Sequence, residues 1–355
     1  MKDTLKTMFK LISSGFLLLF MACGGNGDPT TFFEIQLEGN KKKIQNGEVI
    51  GVAINNKKNI DINSISYSLD NTILPLSDGK ITLASETLGN KLLKANINYE
   101  DGASIEVSKK IQLLAGSSPD IYTYEILNTY PHDPSAYTQG LEFFQDTLYE
   151  STGKKGASTV RKIDFRTGKI LQKIDLDDSV FGEGITLLNN QLYQLTWQSG
   201  LGYVYNPNTL EKIKNFSYGE SREGWGLCND GKQIYKSDGT ERIWHLDPES
   251  LQEVGYIETV TNKSIFNKAN ELEYVDGKIY ANVYQKESMM IINATSGAIE
   301  GVVNFGGLKS QVTRGPQWDE INSVLNGVAY HKERGTFFVT GKNWDKLFEV
   351  SIRKK

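Results

Sequence analysis

Apolar and polar residues alternate with a period of two in short runs along most of the chain, which predicts strands rather than helices. The runs recur in one frame: an anchor residue is followed, 9 to 11 positions later, by a Tyr or Phe inside an apolar run. The five pairs are Gly140 with Tyr149, Gly184 with Tyr193, Gly226 with Tyr235, Glu271 with Tyr280, and Gly327 with Phe338. Successive anchors lie 44 (140 to 184), 42 (184 to 226), 45 (226 to 271) and 56 (271 to 327) residues apart. A strand repeat of roughly 40–50 residues is typical of β-propeller blades.

Each of the first four copies continues into a hairpin whose turn opens on Asp or Asn, at Asp164, Asn206, Asp247 and Asn293. These side chains bond the backbone two residues on, which favours a turn. Four strands per copy and five copies predict an all-β fold with a five-bladed propeller. The fifth copy lacks its fourth strand. We expect the apolar segment 122–127, which precedes the first copy, to supply that strand and close the ring.

The residues from 32 to 114 do not follow the repeat. Short apolar runs at 35–37, 49–54, 65–69, 92–99 and 105–107 read as strands, with turn signals such as Asp70-Asn71 and Asp78-Gly79 between them. We expect six or seven strands in a small immunoglobulin-like β-sandwich, whose simplest role is that of a spacer. Residues 115–120 are then the linker into a propeller that spans 121–355.

The chain begins with the pattern of an export signal, because lysines precede an apolar run that ends at Cys23 and is too short to span a bilayer comfortably. Residues 20–23 resemble a bacterial lipobox, although Phe20 stands where Leu is usual. This resemblance implies lipidation of Cys23; the alternative is a plain signal peptide with an incidental cysteine.

We therefore expect residues 1–23 to be a lipoprotein signal peptide with its lipobox cysteine, and 24–31 to be a tether. The mature protein is then an exported bacterial lipoprotein of the cell envelope, on its periplasmic face or at the cell surface. Its contact with the membrane is through the lipid anchor only, and we expect a monomer.

Composition excludes several classes of function. The net charge is −4, and no basic patch indicates a nucleic-acid partner. Cys228 is the only cysteine besides Cys23, which leaves no disulfide and no cysteine metal site in the mature chain. The three histidines, His132, His245 and His331, fall at different repeat positions and do not suggest a zinc site. We expect no cofactor, although carbonyl-rich strand ends leave a structural calcium ion possible.

The innermost strands of a propeller line its central channel, so residues at equivalent repeat positions converge there. The residues just before the anchors are Gln139, Glu183, Trp225, Asn270 and Asn326. Four residues after each Tyr or Phe come Gly153, Trp197, Gly239, Tyr284 and Lys342. Unlike polar residues at one equivalent position suggest a site, whereas the alternative is a solvated channel lining.

Seven short motifs resemble those of the glutamine cyclotransferases, the plant-type glutaminyl-peptide cyclotransferases also found in bacteria. They occur in order at 137–141, 181–186, 224–227, 237–240, 270–273, 325–330 and 340–344. The resemblance spans about 122–352 and implies a five-bladed propeller. It also implies an enzyme that converts the N-terminal Gln of peptides or proteins to pyroglutamate with release of ammonia, without a metal.

The resemblance also assigns residues. Glu183 matches the catalytic glutamate and would carry the proton from the α-amine to the leaving group. Gln139 and Asn270 match residues that hold the amide, and Lys342 matches the pocket lysine, which would stabilise the oxyanion or bind a backbone carbonyl. We take Glu183, Asn270 and Lys342 as catalytic. The substrate-binding residues implied are Gln139, Phe181, Trp197, Trp225, Asn326 and Tyr284.

Some of these assignments have simpler alternatives. Tyr284 stands where the family usually has Trp, and Trp197 and Trp225 could be core residues. Asp238 could be a turn residue, and Glu271 and Glu273 could order the site. The role of an insertion at 307–319 is open. At the level of the whole chain, a non-catalytic binding module is the competing function.

Overall fold

The computed structural model describes residues 29–100 and 102–355. The predicted signal peptide with Cys23, and the tether up to residue 28, lie outside the described residues. The rest of the tether is a short 3-10 turn, Pro29–Thr31; the two other 3-10 turns described are Glu38–Asn40 and Lys309–Gln311. In the part of the chain that is described, no helix is both long enough and apolar enough to cross a membrane.

Eight strands of the described residues form two facing sheets before residue 115. They are β1 (Phe33–Leu37), β2 (Lys43–Gln45), β3 (Glu48–Asn56), β4 (Ile62–Leu69), β5 (Thr72–Leu74), β6 (Lys80–Leu83), β7 (Gly89–Tyr99) and β8 (Ala103–Leu114). One sheet has the order β1-β3-β6 and the other β2-β8-β7-β4-β5. Apolar side chains of both sheets, such as Ile35 and Leu93, share one buried core, so the two sheets form a sandwich.

The five strands read from apolar runs are present, and three short ones, β2, β5 and β6, were not singled out. The two turn signals hold: Asp70 and Asn71 connect β4 to β5 with φ of 45° and 80°, and Asp78 has φ of 49° in the turn before β6. The predicted linker 115–120 is shorter than expected. Ala115 is buried in the sandwich core, and Asp120 is already the first residue of the next strand.

The remainder of the chain builds four-stranded antiparallel units, of which the first three are separate sheets and the last two are joined by a short parallel pairing into one eight-stranded sheet. The first four are β10 (Thr138–Phe144), β11 (Thr147–Thr152), β12 (Thr159–Asp164) and β13 (Lys169–Asp175); β14 (Gly182–Leu188), β15 (Gln191–Thr196), β16 (Leu201–Tyr205) and β17 (Lys212–Ser217); β18 (Leu227–Asn229), β19 (Ile234–Ser237), β20 (Arg242–Leu246) and β21 (Glu253–Glu258); β22 (Ala269–Val275), β23 (Lys278–Val283), β24 (Ser288–Asn293) and β25 (Ile299–Asn304). These units correspond to the first four sequence copies, and they are consistent with a β-propeller.

The fifth unit is completed from the other end of this region. It contains β26 (Leu325–His331), β27 (Thr336–Gly341), β28 (Lys346–Lys354) and β9 (Asp120–Pro131). Strand β9 pairs antiparallel with β28, from Tyr122 opposite Lys354 to Pro131 opposite Lys346. The expected fourth strand is therefore supplied by the segment before the first copy.

The first strands of the units contact one another in a closed cycle, β10 to β14 to β18 to β22 to β26 and back to β10. Glycine anchors permit this approach, because a Cβ at Gly140 would lie 2.6 Å from the Ile185 nitrogen and one at Gly226 only 2.0 Å from the Asn270 oxygen. The fourth anchor, Glu271, is fully buried and accepts hydrogen bonds from two backbone N–H groups, on β10 at 3.1 Å and on β26 at 2.7 Å. Glu271 therefore ties three first strands together.

The sandwich also contacts the segment between β21 and β22. Val260 is fully buried within the sandwich core. The carboxylate of Glu258 accepts hydrogen bonds from Asn90, from its backbone nitrogen at 2.7 Å and from its side-chain amide at 2.9 Å. The segment that leads into β22 is thus fixed by residues of β7.

Candidate active site

A cavity of about 390 Å³ opens where the first strands of the units begin. Its lining combines aromatic rings with a carboxyl, three amides and an amine. The lining residues are Tyr137, Gln139, Phe181, Glu183, Trp197, Trp225, Asn270, Tyr284, Asn322 and Lys342. The structure therefore brings eight of the nine predicted catalytic and substrate-binding residues to one cavity and adds Tyr137 and Asn322.

A shared backbone bond explains why two distant repeat positions meet here. The residue that follows β11, Gly153, donates its N–H to the carbonyl of Tyr137 at 2.8 Å. Trp197 donates in the same way to Phe181 at 3.0 Å, and Lys342 to Val324 at 2.9 Å. Each acceptor lies three residues before an anchor, so in these three copies the end of the second strand lies beside the start of the first strand.

Glu183 is the second residue of β14 and is almost completely buried, with 5 % of its surface exposed. Among the described residues, the one side chain that donates a hydrogen bond to Glu183 is the amide of Gln139, at the long distance of 3.3 Å. Burial raises the pKa of the Glu183 carboxyl well above its usual value; the positive charge of Lys342 opposes this rise and the negative charge of Glu223 adds to it. The carboxyl is thus held ready to bind a proton.

Lys342 follows β27 and is also buried, with 3 % exposed. Its ammonium group lies 4.8 Å from the ring centre of Tyr137 and 5.7 Å from that of Tyr284, so it is surrounded by ring faces rather than by water. Burial lowers the pKa of Lys342 to about 8, although the charge of Glu183 acts to raise it.

Asn270 is 3 % exposed. Its backbone oxygen accepts a hydrogen bond from the Ser237 hydroxyl at 2.6 Å, which fixes the main chain. Among the described residues no hydrogen bond engages its side-chain amide, which therefore faces the cavity with its donors and acceptor available.

Two aromatic pairs form the walls. Phe181 meets Trp197 edge to face with ring centres 5.5 Å apart, and Trp225 meets Tyr284 in the same way at 5.2 Å. Trp225 needs the glycine beside it, because Gly239 has φ of +80° and a Cβ there would lie 2.5 Å from the indole ring. The two tryptophans are therefore cavity walls, and the alternative of simple core packing does not describe them.

The ninth predicted residue, Asn326, does not line the cavity. It is fully buried behind Gln139, and its amide donates to the Gln139 side-chain oxygen at 3.2 Å and to the Thr138 carbonyl at 2.9 Å. Asn326 thus orients Gln139, which in turn donates to Glu183.

The two residues that were not singled out had different signals. Tyr137 holds the repeat position of Phe181, three residues before an anchor, and that correspondence could have identified it. Asn322 lies in the segment between β25 and β26, which has no counterpart in the other copies. It donates to Asp319 at 2.8 Å, and no sequence signal pointed to it.

Two neighbouring groups have structural roles. Asp238 accepts hydrogen bonds from the Trp244 indole at 2.7 Å and from Thr240, so it is a turn residue. His132 contacts the carboxylate of Glu150 at 3.0 Å, away from the cavity. Within residues 29–100 and 102–355, no three His, Cys, Asp or Glu side chains are grouped so as to hold a metal ion.

The arrangement suits a reaction in which a proton moves between two nitrogens and an oxyanion forms. A buried carboxyl with a raised pKa can take up and release a proton, and a free amide and a buried amine are donors for developing negative charge. The aromatic walls offer apolar surface to the carbons of a small substrate.

Comparison with known proteins gives concordant findings. The profile of the family described as glutamine cyclotransferase matches residues 99–352. The chain is 36% identical over 263 residues to a glutaminyl-peptide cyclotransferase of Arabidopsis thaliana, in an alignment that covers 71% of this chain and 75% of that protein. The crystal structure of Myxococcus xanthus glutaminyl cyclase superposes with a TM-score of 0.62 at 31% identity, covering 67% of this chain and 99% of that one.

Proposed function

The chain belongs to the glutamine cyclotransferase family and is a glutaminyl-peptide cyclotransferase; we propose that Glu183, Asn270 and Lys342 carry its reaction. These three polar side chains are at most 5 % exposed, they face one cavity, and the described residues leave most of their hydrogen-bonding capacity unused, which supports this assignment. Buried polar groups are normally satisfied, so unused capacity marks places for substrate atoms.

In the proposed reaction the neutral α-amine of an N-terminal Gln attacks the γ-amide carbon of its own side chain. The new C–N bond forms, the carbonyl oxygen gains the negative charge, and the Glu183 carboxylate takes a proton from the amine. The Glu183 carboxyl then returns this proton to the amide nitrogen, the old C–N bond breaks, and ammonia leaves with pyroglutamate behind. One carboxyl performs both transfers, and the group is regenerated unchanged.

The other groups position and stabilise. Asn270 donates an amide N–H to the developing oxyanion, and Lys342 adds positive charge that water screens little in this buried place. Gln139 orients Glu183 by its hydrogen bond, and Asn326 orients Gln139. Because the attack is intramolecular, the walls accelerate it by holding the substrate side chain folded toward its own amine.

The finer architecture belongs to the same proposal. We propose that the five four-stranded units are the blades of one closed five-bladed propeller of about residues 121–355, supported by the cyclic contacts of the first strands. The sandwich of residues 32–114 is proposed to be immunoglobulin-like. The protein would act as a monomer and without a metal or other cofactor.

The cellular setting is proposed from the sequence. Residues 1–23 would direct export and lipidation at Cys23, residues 24–31 would tether the protein, and the enzyme would work as a bacterial lipoprotein of the cell envelope. Its substrates there would be exported peptides or proteins with an N-terminal Gln.

Ammonia release from a short peptide with N-terminal Gln tests the assignment of Glu183. The protein beginning at residue 26 should release ammonia with and without a metal chelator, whereas Glu183→Gln should lower kcat by about 10²–10⁴-fold. The same peptide with an acetylated amine should not react, and Glu333→Gln, the same change at an exposed position, should behave as wild type. Activity of Glu183→Gln within threefold of wild type would refute the assignment.

A further inference from the structure

Resting on the proposed function, we infer that Glu223 is a positioning residue whose single carboxylate holds both tryptophan walls and so sets the gap that receives the substrate side chain. Glu223 lies outside the cavity lining. No motif or chemical argument from the sequence singled it out.

The geometry is specific. One carboxylate oxygen of Glu223, Oε2, accepts the indole N–H of Trp197 at 2.8 Å and that of Trp225 at 2.9 Å. The other oxygen, Oε1, accepts the side-chain amide of Gln198 at 3.1 Å. These are short charge-assisted bonds, and they connect residues that belong to two different units.

Each indole belongs to one of the two aromatic pairs. Trp197 packs against Phe181, and Trp225 packs against Tyr284. Fixing both indole N–H groups at one carboxylate therefore fixes the separation and tilt of both walls. It also occupies the indole donors, so that the ring surfaces rather than the N–H groups are left for the apolar carbons of a Gln side chain.

The backbone of Glu223 is held independently of its carboxylate. Its carbonyl accepts a hydrogen bond from the ammonium group of Lys236 at 2.9 Å. Lys236 is fully buried, and its ammonium group lies 4.2 Å from the ring centre of Tyr218. The next residue, Gly224, donates its N–H to the Trp197 carbonyl at 3.1 Å. Replacing the Glu223 side chain should therefore release the indoles without unfolding the segment.

Glu223 holds a repeat position that aromatic residues hold in other copies. Glu223 stands three residues before the anchor Gly226, at the position that Tyr137 and Phe181 hold in the two preceding copies. Where those copies place an aromatic ring in the cavity wall, the third copy places a carboxylate behind the wall. The extra ring is not needed there, because Trp225 itself lines the cavity.

Glu223 also acts on Glu183 through its charge, since the negative charge of Glu223 contributes to the raised pKa of Glu183. Removing that charge should lower the Glu183 pKa, so that the carboxylate base persists to lower pH. The acid limb of the kcat/KM profile should then move to lower pH. The substrate amine titrates identically with every variant and cannot cause such a difference.

The test compares Glu223→Ala, Glu223→Gln and the control Glu220→Gln, a nearby acidic residue that pairs with Arg242 rather than with an indole. We expect kcat/KM of Glu223→Ala to fall by about 10²-fold, as for a misplacement of about 1 Å. Glu223→Gln keeps an oxygen that can accept both indole N–H groups, so it should lose less than tenfold. Both variants should shift the acid limb to lower pH, and Glu220→Gln should change neither value.

A double-mutant cycle keeps the inference testable if Glu223→Ala folds poorly. The pair Trp197→Phe and Trp225→Phe keeps a smaller aromatic ring at each position and removes both indole N–H groups. In that background Glu223→Gln should cause no further loss of kcat/KM beyond the pH shift. Full additivity, or Glu223→Ala within twofold of wild type, would overturn the inference, whereas absence of ammonia release by the wild type would instead overturn the proposed function.

Discussion

Glu349 and Glu183 are both buried carboxyl groups of the repeat region, with 2 % and 5 % of their surfaces exposed, but their surroundings are opposite. Glu349 lies on β28, where β9 completes the fifth unit. It accepts five hydrogen bonds: from Asn128 at 2.8 Å, Tyr130 at 3.0 Å, Arg334 at 2.7 and 2.9 Å, and Thr336 at 2.8 Å. Burial alone would raise the pKa of Glu349, but these bonds lower it to about 2.

Glu183 accepts a single long side-chain hydrogen bond within the described part of the chain, from Gln139, and its pKa is raised instead. The difference shows that burial does not by itself decide what a carboxyl does. A buried carboxyl that accepts many hydrogen bonds, such as Glu349, stays charged and joins two strands. A buried carboxyl with few donors, such as Glu183, can exchange protons, and a substrate can supply the missing hydrogen-bond partners.

Glu349, the carboxyl with all its hydrogen bonds made, should give the largest change on substitution. Glu349→Gln replaces an acceptor with an amide that faces Arg334 without a compensating charge. Because Arg334 is partly exposed and water screens its charge, we expect the free energy of unfolding to fall by about 2 kcal/mol, less than for a fully buried pair. The activity of the folded fraction should be unchanged, because Glu349 is remote from the cavity lining. Denaturant titration with activity measured in parallel gives both quantities.

Glu349 should also make the stability of the protein depend on pH. A carboxyl whose folded pKa is near 2 contributes stability that is present above its unfolded pKa of 4.5 and is lost as pH falls toward 2. The wild type should therefore lose stability across that window more steeply than Glu349→Gln. Equal slopes, or a loss below 0.5 kcal/mol at pH 7, would contradict the assigned role.

A smaller effect is expected from Lys342→Met, which removes the positive charge near Glu183. We expect kcat to fall by about 10- to 100-fold, since one buried stabilising group is lost. Because the charge of Lys342 lowers the Glu183 pKa, the acid limb of kcat/KM should move to higher pH, opposite to the shift expected for Glu223 variants. Lys332→Met, at an exposed position, is the control, and an acid limb that stays in place would refute the coupling.

The smallest effect is on the stability of Glu183→Gln. A folded pKa raised above the unfolded value means that stability is lost as pH rises through it, and above about pH 8 neutral Lys342 no longer compensates the Glu183 charge. Glu183→Gln should thus be more stable than wild type by about 1 kcal/mol at pH 9, with a smaller difference at pH 6. Thermal unfolding at the two pH values measures this, and a variant less stable at pH 9 would contradict it.

Much of the fold was predictable because the repeat is regular. The anchors and their aromatic partners located the first two strands of every unit, and the missing fourth strand correctly pointed to β9. The short strands β2, β5 and β6 were less evident, because three or four residues carry too little alternation. The burial of Val260 in the sandwich was also unpredictable, since a lone apolar residue in a connecting segment carries no information about which core it enters.

The site was predictable where the repeat reached it. Glu183 and Asn270 occupy one equivalent position in different copies and Lys342 occupies a second, so the repeat itself indicated that they lie near one another. Asn326 holds the same repeat position as Glu183 and Asn270, but its side chain lies behind Gln139 and not in the cavity wall. The direction of a side chain at the start of a strand depends on neighbouring side chains, which the repeat does not specify. Asn322 and Glu223 act from connecting segments, whose course is set by contacts and not by periodicity.

The burial of Val260 in the sandwich core has a consequence for how the two parts of the chain come apart. The two parts are held together by more than the covalent connection at 116–119, because Val260 and the Glu258–Asn90 hydrogen bonds also join them. A protease nick in that connection would leave the halves associated. On heating, the sandwich and the segment leading to Asn270 would unfold as one cooperative unit. The N-terminal domain would thereby stabilise the active site against local unfolding.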